Sequence, residues 1–220
     1  MNGRGPRVHT YAEGEFMLAY GPRNGPQILV IQPLFEELNR CRAMLASACR
    51  ALAERGVGVW MPDLPGTGES LRALDTIVWK DWFDAVGAAG SVVREETGSE
   101  PGILAIRGGA LLDRPLFWRS LRLSPTSGRS LLSDLRRSAL ASGSDPAHPA
   151  GYTLSASLVE ALAGAEPAPE GDILTIRLST DDRPADRRID GQPLWRRPEP
   201  AIDIPTEQAL ISEILSWARP

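Results

Sequence analysis

The 220-residue chain holds one lysine, Lys80, two histidines, His9 and His148, and two cysteines, Cys41 and Cys49. Arginine therefore carries almost all of the positive charge, which reads first as a coding bias toward GC-rich codons and only second as function. The cysteines lie eight residues apart within one predicted helix. That spacing suggests neither a disulfide framework nor a metal site, so a reducing cytoplasm is the expected location. The formal net charge of −4 gives no electrostatic reason to expect nucleic acid or an anionic membrane surface as a partner. No apolar run approaches the roughly 20 residues of a membrane span, and the first residues lack a signal-peptide core. No metal, cofactor or membrane insertion is expected. What is present is ordinary: 42% hydrophobic and 24% charged residues, enough for one domain with a sizeable core over 1–220.

Hydrophobic patterning gives the architecture. Residues 13–20 and 27–33 are apolar runs separated by the breakers of 21–26, which predicts a hairpin whose second strand enters the core. A helix is predicted from about Asn39 to Arg55, with Met44, Leu45, Ala48 and Leu52 on one face and Gly56 as its stop. Val57 to Met61 is the next buried strand, followed by a loop over 62–70, and a helix follows over 79–96. Ile103 to Ile106 is a further buried strand, after which Gly108 and Gly109 permit a sharp turn and Ala110 to Leu112 can open a helix. Alternating strands and helices imply βαβ units and a mostly parallel sheet flanked by helices, an α/β protein. Beyond Leu116 the rhythm weakens. A short strand near 121–125, helices over 129–142 and 154–164, and a connector over 143–151 precede a firm strand over 172–178. Residues 186–195 read as a weaker edge strand, and Thr206 as the cap of a helix over 207–217.

Three ordered motifs carry a resemblance. Asp63-Leu-Pro-Gly-Thr-Gly-Glu-Ser70 looks like the D-x-P-G-x-G-x-S loop that follows an early core strand in many α/β-hydrolases. The strand, glycine turn and helix around 101–112 have the layout of a nucleophile elbow, whose pattern is G-x-S-x-G. The last strands and helix stand in the matching order. More closely, Pro33-Leu-Phe-Glu-Glu-Leu-Asn-Arg40, Arg107-Gly-Gly-Ala110, Gly151-Tyr-Thr-Leu-Ser155 and Gly191-Gln-Pro-Leu-Trp195 are similar to segments of the exosortase A system-associated hydrolases, in the subgroup with arginine at the elbow. That resemblance spans roughly residues 15 to 218. It implies a bacterial α/β-hydrolase-like domain with a small helical lid over about 126–164, and an ester or acyl group on an exopolysaccharide precursor as its substrate.

The residues themselves withhold the usual chemistry. A Ser-His-Asp hydrolase needs a nucleophile, a base and an orienting carboxylate. The apex position holds Arg107, which carries a permanent charge and cannot act as a nucleophile. Residues 191–206, where the histidine would follow the last strand, contain none. The acid's place is taken by Asp181 and Asp182. Arg107 is expected either to project into a pocket and bind an anion, or to pair with Asp181, Asp182 or Glu37 in a filled site. Glu36 and Glu37 are read first as acidic residues favouring a helix N-terminus, and second as an acid or base pair. The candidate catalytic set is Arg107, Asp182 and Glu37, and the candidate substrate-binding set is Leu34, Phe35, Gly108 and Trp195. Ser70, Ser127 and Ser155 are replacement nucleophiles only by their presence, His148 reads as a loop histidine, and Trp79, Trp82, Trp118 and Trp195 as packing residues or a sugar platform. Two functions stay open: a hydrolase with a rearranged catalytic set, or a degenerate one that binds a small anionic or acylated ligand or a protein partner, with a homodimer compatible with either.

Overall fold

A computed structural model of the chain describes residues 5–113, 119–142, 151–197 and 199–218. Among them, one sheet contains strands β1 (Arg7–Ala12), β2 (Glu15–Tyr20), β3 (Gln27–Ile31), β4 (Gly58–Pro62), β5 (Gly102–Ile106), β6 (Ser120–Leu123), β7 (Ile173–Leu178) and β8 (Arg187–Ile189). Their order is β1-β2-β4-β3-β5-β6-β7-β8. β1 pairs antiparallel with β2, and β2 with β4; every later pairing is parallel. The helices are α1 (Glu36–Glu54), α2 (Trp79–Thr97), α3 (Gly128–Ser142), α4 (Ala156–Gly164) and α5 (Ile204–Ala218).

The near-continuous apolar runs of the central strands follow from burial on both faces. Along β3, Leu29 and Ile31 face α2, α3 and α4, while Ile28 and Val30 face α1 and α5. β5 divides the same way, with Ile103 and Ala105 on one side and Leu104 and Ile106 on the other. α3 and α4 close the first cluster through Leu131, Leu132, Leu135, Leu158 and Leu162, all buried. Trp82 anchors that cluster, and its indole N–H donates to the Pro65 carbonyl at 2.9 Å.

Several expectations need correction. The runs at 13–20 and 27–33 do not form a hairpin: β2 turns back on β1 at Gly14 and pairs on its other edge with β4. The breaker segment instead carries the chain past β4, and Gln27 pins it by donating to the carbonyls of Arg23 and Gly25 while accepting from the Trp60 indole. A breaker cluster marks a change of direction, not the neighbour that receives the next strand. β1 has no hydrophobic signal in the sequence, because only Tyr11 of its six residues is buried. After β5 the helix expected from Ala110 does not develop; a short 3₁₀ turn over Arg107–Leu111 leads directly to Asp113, whose carboxylate closes on Arg122. The edge strand is three residues long, followed by a 3₁₀ turn over Leu194–Arg196. α5 begins before Thr206, and the Asp203 carboxylate accepts from the Thr206 amide at 3.1 Å, so Asp203 is the cap. Trp118, His148 and most of the 143–151 connector lie outside the described residues.

Cys41 and Cys49 are both free and buried against the α1 face of the sheet. Burial pushes each thiol up to about 12. The thiolate is the reactive form, so an aromatic disulfide reagent at pH 8 is expected to modify neither cysteine in the native protein. Both should titrate once denaturant is added; rapid labelling of either native thiol would show that α1 opens.

Candidate functional site

The site is set by the backbone at the end of β5. Arg107 has φ 54°, in the left-handed region that a side chain other than glycine adopts at a cost of about 1–3 kcal/mol. The two following glycines allow this sharp turn to sit close to its neighbours. A Cβ on Gly109 would lie 2.4 Å from the Ile31 carbonyl oxygen, and one on Gly108 would lie 2.5 Å from Leu131. The chain thus bends steeply at a parallel strand's C-terminal end and presents residue 107 beside the start of α1.

Arg107 is only 4% exposed and Glu37 6%. The guanidinium Nε donates to both carboxylate oxygens of Glu37 at 3.2 Å, and Nη2 donates to Oε1 at 2.8 Å. Nη1 donates to the Ser124 carbonyl at 3.0 Å, and the guanidinium lies 4.8 Å from the centre of the Trp195 ring. Burial pushes the Glu37 carboxyl up, and the adjacent Arg107 charge opposes that rise. Glu37 therefore spends its carboxylate on Arg107 rather than on the helix terminus, although it sits in the first turn of α1; Phe35 at the N-cap makes no side-chain hydrogen bond.

The other sequence candidates separate. Leu34, Phe35 and Trp195 line a 390 Å³ cavity beside the elbow, together with Leu131, Leu135 and Arg40. Gly108 lies beneath Leu34 and Leu131 and contributes backbone shape. Asp182 is exposed on the wall of an adjoining 300 Å³ cavity that Arg107 and Trp195 also line. Its neighbour Asp181 binds Arg177 at 3.0 Å and Arg183 at 2.7 Å instead. Ser70, Ser127 and Ser155 are turn and cap residues: Ser70 accepts from Gly66 and Arg72, Ser127 from Ser130, and Ser155 from Leu158. His9 sits on β1, with three strands between it and β5, and its ring centre lies 5.0 Å from that of Trp60 in a T-shaped contact. Among the described residues no histidine reaches the elbow, and no group of three or more potential ligands could hold a metal ion. Sequence reasoning missed Asp134, Arg137 and Ser138, which line the first cavity with Leu131 and Leu135. Their spacing of three, four and seven residues along α3 marks a single helical face.

A parallel sheet entered by an antiparallel pair, with a strained turn after its central strand, has clear structural counterparts. A serine hydrolase without a lid from Xanthomonas campestris matches with a TM-score of 0.57 and 15% identity, over 99% of this chain and 97% of that one. The chain has the α/β-hydrolase fold. A thioesterase domain from the curacin biosynthetic pathway matches at TM-score 0.55 and 16% identity, over 97% of this chain and 100% of that one. Against an epoxide hydrolase from Vigna radiata, with TM-score 0.42 and 18% identity, the match covers 55% of this chain and 40% of that one. No family model and no curated protein matches the chain. Within this α/β-hydrolase fold, the elbow geometry is retained while the apex side chain is tied into the protein.

Removing one partner of a buried ion pair leaves the other charge unpaired, at a cost of about 3–5 kcal/mol. Glu37→Ala and Arg107→Ala are each expected to lose about that much in urea unfolding, and a double variant Glu37→Leu/Arg107→Met much less than their sum. Additive losses would mean that the pair is not coupled. The hydrogen bonds from Arg183 hold the Asp181 carboxyl well below the usual carboxylate range. A depressed folded-state pKa contributes stability above the ordinary aspartate value and loses it as pH falls. Stability is therefore expected to drop more steeply between pH 5 and pH 2 in the wild type than in Asp181→Asn.

Proposed function

We propose that this chain binds a small acylated or anionic molecule at the elbow cavity without hydrolysing it. The observation that carries the reading is the state of Arg107: the apex side chain is enclosed by Glu37, the Ser124 carbonyl and the Trp195 ring. An apex so occupied has no hydroxyl to attack an acyl carbon, and no histidine among the described residues stands ready to take its proton. The cavity supports a binding role. Leu34, Phe35, Leu131, Leu135 and Trp195 offer apolar surface, and the polar end carries Arg40 and Arg196 beside Glu36 and the Arg137–Asp134 pair, so an acyl chain can enter with its head group against the two arginines. α3 is the lid element in this reading, since the face bearing Leu131, Asp134 and Leu135 closes the cavity. The four segments that resemble the exosortase A system-associated hydrolases support a place in exopolysaccharide metabolism, and two free buried cysteines support a reducing compartment.

The test pairs turnover with binding. Purified wild type and Arg107→Ala are assayed against short- and medium-chain p-nitrophenyl esters and an acyl thioester, and both are melted with increasing octanoate. The expected result is no turnover by either protein, a saturable rise in Tm for the wild type, and loss of that rise in Leu135→Arg. Ester hydrolysis by the wild type that vanishes in Arg107→Ala would overturn the non-catalytic reading and make Arg107 a catalytic residue.

A further inference from the structure

A larger cavity of 610 Å³ opens on the sheet face beside α3, beyond the elbow. Strand alternation builds its floor. Leu121, Leu123, Ile176 and Leu178 face α1 and α5, so Arg122, Thr175 and Arg177 face the opposite side, with Arg122 in register with Thr175. Arg122 is 4% exposed and is satisfied by the Asp113 carboxylate and the Ala168 carbonyl. Arg177 is 8% exposed; its Nε donates to the Pro184 carbonyl at 3.0 Å, and its Nη1 to the Pro125 carbonyl and the Asp181 carboxylate. Its Nη2 has no acceptor among the described residues. Arg183 takes the same Asp181 carboxylate through Nε and Nη2, at 2.9 and 2.7 Å. One carboxylate thus serves two guanidinium groups, so this wall keeps one positive charge, facing the rim carboxylates Glu166 and Asp186 across the cavity. Burial and then the neighbouring Arg183 charge depress the Arg177 guanidinium, as expected where cations crowd.

The opposite wall is the first turn of α3. Ser127 Oγ accepts from the Ser130 amide at 3.3 Å and donates to Ser130 Oγ at 3.0 Å, which leaves the Ser130 hydroxyl hydrogen available to a ligand. The partial positive charge of this 15-residue helix's N-terminus adds to the same field. Two exposed carboxylates, Glu166 and Asp186, stand at the rim, and Asp186 accepts from the Thr175 amide at 2.7 Å. They disfavour an extended polyanion and leave room for a compact one.

We propose that this cavity binds a compact tetrahedral oxyanion, a phosphate or sulfate group free or as a monoester, held by Arg177, Arg183, the Ser130 hydroxyl and the first turn of α3. Since Asp181 and the two proline carbonyls take the other guanidinium nitrogens, each arginine offers one terminal nitrogen as a charged donor, and the Ser130 hydroxyl adds a donor from a different element. The site does not depend on the acyl-binding reading of the elbow cavity, though it shares Thr126, Ser130 and Arg183 with the 300 Å³ cavity next to it.

Calorimetric titration at constant ionic strength, with inorganic phosphate, inorganic sulfate and phenyl phosphate as separate probes, tests the proposal. Saturable binding of at least one probe is expected. Arg183→Gln, at a half-exposed position, should weaken it by about tenfold, the loss of one charged hydrogen-bonding group, while Glu166→Gln should tighten it. Arg40→Gln, confined to the elbow cavity, should leave the phosphate dissociation constant unchanged, which separates failure here from failure of the acyl-binding reading. Tighter binding of phenyl phosphate than of phosphate would identify a monoester as the ligand; the reverse would identify the free anion. Arg177→Gln is a second probe of the wall, and Arg183→Gln carries the test if that buried variant does not fold. The proposal is overturned if no probe binds saturably, if sodium chloride gives the same heats, or if Arg183→Gln binds as the wild type does.

Discussion

The ion pair between Arg107 and Glu37 ties together the three elements that meet at the end of the sheet. A guanidinium buried at a strand terminus loses several kcal/mol of hydration, and here each side of it is answered. Glu37 supplies a carboxylate from α1, Ser124 a carbonyl from the end of β6, and Trp195 the face of its ring from the turn before α5. Lysine could not make these contacts together, because a single ammonium lacks the planar fork. The interaction also bears on the strained backbone. Arg107 keeps its left-handed conformation because the side chain is held from several directions and the glycines after it are packed against β3 and α3. A geometry that elsewhere in the α/β-hydrolase fold exposes a nucleophile serves here to bury a cation.

The same economy of charge runs along the sheet face toward β8. In a hydrophobic layer, arginines on β6 and β7 would each be costly, yet Arg122 and Arg177 are both nearly buried. Arg122 meets a bidentate carboxylate, Asp113, brought close by the short turn after β5 that replaces the expected helix. Arg177 shares its carboxylate with Arg183. The apolar clusters therefore hold the centre of the sheet, from β2 to β5, whereas the β6 to β8 end on one face is held by arginine pairs around polar cavities.

The sequence by itself determined the layered class. Uninterrupted apolar runs such as Ile28 to Ile31, separated by amphipathic helices, admit little except a parallel sheet covered on both faces. It also determined that no serine stands at the elbow and that no histidine follows the last strand, because those are statements about residue identity at fixed positions. Local signals likewise gave the positions of α1, α2 and the paired glycines. They failed where the determinant was a partner distant in the chain. β1 is a polar edge strand that exists because β2 needs a neighbour, and the link at 21–26 is routed by a glutamine and a tryptophan 33 residues apart. Which of three carboxylates would answer Arg107 was likewise decided only by the tertiary structure: Glu37 and Arg107 are separated by 70 residues, and their meeting depends on β3 and β5 being adjacent and parallel. A charge can be recognised in a sequence, but the group that neutralises it is chosen by which strands lie side by side.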